Sequence, residues 1–70
     1  MTATFTFKQM HFTVRKTGAS TYEYRETRHI GGPWSSIGKT LESTSVHSTF
    51  KRLLREACQD LHELAIESRA

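Results

Sequence analysis

Polar and apolar residues alternate through the first part of the chain. From about residue 41 onward, apolar residues recur every three or four instead. Alternation puts successive side chains on opposite faces of a strand, so residues 3–15 read as β-structure. Ala3, Phe5 and Phe7 hold odd positions, whereas Met10, Phe12 and Val14 hold even ones. The parity changes across Lys8-Gln9, which lacks the Asn, Asp or Gly of a two-residue hairpin turn. The expectation is therefore one long strand carrying a bulge. Thr17-Gly18-Ala19-Ser20 suits a hairpin loop, with Gly18 free to take positive φ. Residues 21–28 form the returning strand, with Tyr22 and Tyr24 on one face, and Gly31-Gly32-Pro33 ends it because proline brings no amide to a ladder. Residues 34–41 read as a short third strand or an ordered loop.

The second rhythm predicts a helix. Val46, Phe50, Leu53, Ala57, Leu61 and Leu64 are spaced four, three, four, four and three apart, which keeps them on one side of a 3.6-residue helix. Thr44 or Ser45 is suited to cap its start. Leu54, Cys58 and Ala65 widen the stripe enough to cover a sheet, with Phe50, Leu53, Ala57, Leu61 and Leu64 expected in the core. The fold expected is α+β: a small antiparallel sheet of two to three strands, the first long and bulged, with one C-terminal amphipathic helix packed across it. Residues 1–70 form a single domain, with 1–41 β-rich and basic and 44–67 helical.

Length and composition narrow the function. A chain of 70 residues buries only about 60% of its unfolded surface, so its core is small. That smallness, together with exposed sheet edges, makes a homodimer an expected assembly. Cys58 is the sole cysteine, which rules out an internal disulfide and suits a reducing compartment. The first residues lack the charged start and apolar run of a signal peptide, and no apolar segment is long enough to span a bilayer. The expected setting is cytoplasmic, with no membrane partner.

Lys and Arg total 10 against 7 Asp and Glu, a net charge of +3. Residues 1–40 carry six cations and two glutamates, a net +4, while residues 41–70 carry four against five. A basic surface can bind polyanions by releasing counterions, although it also keeps proteins soluble. On the helix, Lys51, Arg52 and Arg55 precede Asp60, Glu63 and Glu67, the reverse of what the helix dipole favours. Arg52 and Glu56, four apart, recover a little of that loss.

Several motifs fail on inspection. Residues 33–40 end in Gly38-Lys39-Thr40 like a phosphate loop, but the required first glycine falls on Pro33. Cys58 and His62 could share a helix side, but His11, His29 and His47 are scattered and provide no second pair for zinc. No carboxylate or glycine-rich elbow organises the cysteine and histidines for nucleophilic catalysis. Glu56, Asp60, Glu63 and Glu67 form a stripe of like charge, which reads as a solvated flank or a docking edge. The chain is therefore expected to be non-enzymatic, with no metal and no cofactor.

Two functions remain. One is nucleic-acid binding, DNA or RNA, through Arg15, Lys16, Arg25, Arg28, Lys39, Lys51, Arg52 and Arg55. If Phe12, Val14, Tyr22 and Tyr24 face the helix, then His11, Thr13, Arg15, Glu23, Arg25 and Thr27 face outward, as residues that touch phosphates and base edges do; they are equally ordinary on the wet face of a sheet. The other is a small protein-binding inhibitor or regulator that docks on a host nucleic-acid-handling protein, with Trp34 as anchor and Glu56, Asp60, Glu63 and Glu67 as rim. The order of strands and helix resembles, in layout only, the small DNA-reading sheets of plant transcription factors and the arm-binding domains of phage integrases; neither contributes a motif here. The same layout is common among short phage- and plasmid-encoded inhibitors.

Overall fold

A computed structural model describes residues 1–68. The sheet has four antiparallel strands in sequential order: β1 (Thr2–Phe7), β2 (Met10–Lys16), β3 (Tyr22–Glu26) and β4 (Ser35–Ser36). Two helices follow, α1 (Ile37–Glu42) and α2 (Ser48–Glu67). α2 packs over β1 and β2, and α1 over β3. The α+β class, the small antiparallel sheet and the C-terminal helix are as expected, but the sheet has four strands where two to three were expected, and a short helix precedes the C-terminal one.

The parity change at Lys8-Gln9 is a turn and not a bulge. Phe7 pairs with Met10, and Lys8 and Gln9 take φ of 49° and 66°. Two consecutive positive φ values are what a two-residue type I′ hairpin requires. Residues other than glycine adopt that region at a cost of about 1–2 kcal/mol each. What offsets the cost is the aromatic cluster that the turn brings together. Phe5 stacks on Phe12 at 5.2 Å, and the Phe50 ring lies 5.0 Å from Phe12, 5.4 Å from Phe7 and 5.6 Å from Tyr24. Each such pair contributes about 0.5–1.5 kcal/mol beyond area burial.

Gly18 does not take positive φ, and among the described glycines only Gly31 does, at 82°. Gly18 matters for space instead: a Cβ there would meet the Thr21 hydroxyl at 2.5 Å. Residues 34–41 are not a full strand. Ser35 and Ser36 pair with Tyr24 and Glu23, and the chain then turns helical because Ile37, buried in the core, leads a helical turn down onto β3.

α2 begins at Ser48, not at residue 44, and its cap is His47 in place of Thr44 or Ser45. The Thr49 N–H donates to His47 Nδ1 at 3.1 Å. Ser43 to Val46 are used instead to join the end of α1 to α2, with Ser43 Oγ accepting from the Ser45 N–H. The core comprises Phe12, Val14, Ile37, Phe50, Leu54, Ala57 and Leu61. The helical stripe is thus real, but its centre is Leu54. Leu53 is half-buried and Leu64 is 46% exposed, because both lie around the helix from Cys58, on the flank away from α1. No described helix is long and apolar enough to cross a membrane.

Candidate functional site

The sheet has two unlike faces. Strand alternation sends Ala3, Phe5, Phe7, Phe12, Val14 and Tyr24 under the helices, and Thr2, Thr4, Thr6, His11, Thr13, Arg15, Glu23, Arg25 and Thr27 to the other side. Among the described residues, no helix covers that second face. The Thr6 hydroxyl bonds His11 Nδ1 at 3.1 Å, and the hydroxyls of Thr13 and Thr27 meet at 2.9 Å.

Trp34 organises one end of this face. Since Ser35 pairs with Tyr24, the preceding residue lies beside Arg25. The guanidinium carbons of Arg15 and Arg25 sit 3.9 and 4.2 Å from the Trp34 ring centroid. Stacking at that distance holds flat cations without using up their N–H groups. Arg15 donates through Nε and Nη2 to Glu23 Oε1 at 3.1 and 2.8 Å. Arg25 Nη1 donates to the Gly32 carbonyl at 3.3 Å. A guanidinium has five N–H donors, so both arginines keep several to offer. Trp34 is consequently half-buried against cations, and does not stand in an open apolar patch.

The expected cations do not converge. Arg15 and Arg25 share the open face. Lys16 has the opposite parity, donates to the carbonyls of Gly18 and Ala19 in the hairpin loop, and lies over Tyr22. Arg28 pairs with Glu26. Lys39 lies on α1, and Arg52 and Arg55 are exposed on α2, across the sheet from Arg15. Lys51 is half-buried. Arg52 reaches Glu56 at 3.9 Å, while Glu56, Asp60, Glu63 and Glu67 are all exposed on α2. The threonines of β1 and the Arg–Trp stacking were the parts of this face not foreseen; only the register of β4 reveals the latter.

Other reactive groups are spoken for locally. The Arg28 side chain holds the Glu26 carboxyl below its ordinary range, against the opposing effect of burial, and Arg28 and His29 charges add to it. Burial pushes the Cys58 thiol up, so the reactive thiolate is scarce at neutral pH. Cys58 lines a 310 Å³ cleft with Tyr22, Ile37 and Leu41. Gly38, Lys39 and Thr40 lie within α1, where Thr40 Oγ1 is 3.2 Å from the Tyr24 hydroxyl. Among the described residues, no three His, Cys, Asp or Glu side chains gather as metal ligands would.

Compared with protein-family models, with curated proteins and with solved structures, the chain matches none.

Proposed function

We propose that this is a non-enzymatic nucleic-acid-binding domain that contacts phosphates through the open face of its sheet. The observation that carries the reading is the pair of arginines stacked on Trp34, at 3.9 and 4.2 Å. Phosphate recognition favours pre-ordered guanidinium groups, because less side-chain entropy is lost on contact. The surrounding threonines and His11 add hydroxyl and imidazole donors of the kind that bond phosphate oxygens. Among the described residues, Glu23 is the one carboxylate on this face, and it already accepts from Arg15. The helix cations Lys51, Arg52 and Arg55, with Lys39, are left out of the contact surface, since they lie on the helix side of the sheet.

The test is a titration of short duplex DNA and of single-stranded RNA at two salt concentrations. Phosphate contacts release counterions, so log affinity should fall against log salt with a slope of about −0.9 per contact on duplex DNA. Arg25→Ala should make that slope shallower by about one, while Arg55→Ala should leave it unchanged. Absence of binding at low salt, where attraction is strongest, would overturn the reading. It would favour the second one, a docking inhibitor or regulator of the phage or mobile-element type. The observation on that side is the exposed row Glu56, Asp60, Glu63 and Glu67, suited to a basic protein.

A further inference from the structure

The two edges of the sheet are treated differently. β4 is only two residues, Ser35–Ser36, too short to template another strand. β1 is six residues, TATFTF, with no charge, proline or bulge. Those are the devices by which sheet proteins blunt an edge. The Thr27 N–H donates to the His11 carbonyl, so His11 turns its backbone polar groups toward β3. In an antiparallel ladder these groups alternate sides from residue to residue. Phe12 therefore turns toward Phe5, its partner on β1, and Ala3, Phe5 and Phe7 use their amides inside the sheet. Thr2, Thr4 and Thr6 point their N–H and C=O groups outward.

We infer that this edge pairs with the same edge of a second copy, antiparallel, making a continuous eight-stranded sheet. The strand complements itself. With Thr4 opposite Thr4 and Thr2 opposite Thr6, every outward amide and carbonyl meets its counterpart, giving about six backbone hydrogen bonds. Ala3 then sits beside Phe5 of the other copy, so a small residue meets a large one. The helix layer closes at the same time. α2 lies above β1 and β2, so its copy falls about two strand spacings away, roughly 10 Å, the separation at which helices pack. The flank that would meet there carries Leu53 and Leu64, with the exposed Asp60 beside them. Cys58 faces Tyr22, Ile37 and Leu41, and Leu53 and Leu64 lie roughly 120–140° around the helix from it. Leu53 is half-buried and Leu64 is 46% exposed, which a second α2 would cover. The Arg15–Trp34–Arg25 cluster stays free in this dimer, so the inference stands or falls independently of nucleic-acid binding.

Sedimentation of the 70-residue chain, combined with hydrogen exchange, tests it. The expected result is a concentration-dependent dimer in which the Thr4 and Thr6 amides exchange at least tenfold more slowly than in dilute monomer. The Phe5 and Phe7 amides should be protected in both states. Thr4→Lys sets two like charges opposite each other across the axis and should give a folded monomer. Thr4→Pro removes an outward amide and no internal one, and should do the same. Circular dichroism reports whether either variant has unfolded, and the exchange pattern of the unmodified chain needs neither. A chain that stays monomeric at several hundred micromolar overturns the inference, leaving the edge to a strand from another protein. So does a dimer that Thr4→Lys leaves intact, or one in which the Thr4 and Thr6 amides remain fast.

Discussion

The covered and open faces of the sheet come from the same strands, residue by residue, yet obey different rules. Under the helices, Val14, Leu54 and Leu61 are fully buried, and shape decides what is tolerated. On the other side, Thr13, Arg15 and Arg25 keep contact with solvent and are held by hydrogen bonds and stacking. Stability is thus concentrated on one side of a single layer, which leaves the other side free to carry charge. A substitution should tell the two apart by what it disturbs.

The largest effect belongs to the covered face. Leu54→Ala removes a fully buried side chain and should cost about 2–5 kcal/mol, enough to unfold much of so small a domain in a urea titration. Leu53→Ala, on the half-buried flank, should cost clearly less. Equal losses would break the contrast between helix centre and flank. Next is Tyr24→Phe, which keeps the ring beside Phe50 and deletes the bond to Thr40. A loss of about 0.5–1.5 kcal/mol is expected in thermal melts. On the open face, Arg25→Ala should shift stability by no more than about 0.5 kcal/mol while lowering the salt dependence of binding. A large stability loss would mean that the stacked cluster is structural.

The last prediction lies where the faces meet. Glu26 has the parity of the covered face, opposite Phe12, but extends to Arg28 and His29 at the end of the sheet. Its carboxyl is held below the ordinary range, first by the hydrogen bond from Arg28. A depressed folded pKa contributes stability that is present above the unfolded value, about 4.3, and lost as pH falls through the folded one. The melting temperature should therefore drop on acidification below about pH 4. Glu26→Gln should fall less steeply there; identical profiles would remove this pair from the acid response.

The parts legible in the sequence were those carried by period. Alternation located the strands, and three-four spacing located α2 and most of its buried residues. It could not say whether Leu53 or Leu54 lies deepest, because the apolar stripe is broad and its centre depends on which strands the helix crosses. The Lys8-Gln9 turn was hidden because its residues oppose the conformation they adopt, which the Phe5–Phe12–Phe50 packing enforces from outside. α1 was hidden because one buried residue, Ile37, holds a helix whose local propensity is weak. The assembly of Arg15, Arg25 and Trp34 depends on the strand register. That register also separates Arg52 and Arg55 from them, although all share a sign.

Trp34 is the sole tryptophan of the chain, and it sits outside the cluster of phenylalanines that forms the core. Excited at the red edge of protein absorption, where tyrosine is nearly silent, the molecule reduces to one indole in contact with two guanidinium groups. Its emission colour and lifetime then follow the field of Arg15 and Arg25 rather than the state of the core. Anything anionic that draws those cations off the ring should alter the emission while circular dichroism stays unchanged. Pairing at the distant β1 edge should leave it dark to the event. The fold thereby carries an intrinsic spectroscopic probe of one face, with no label required.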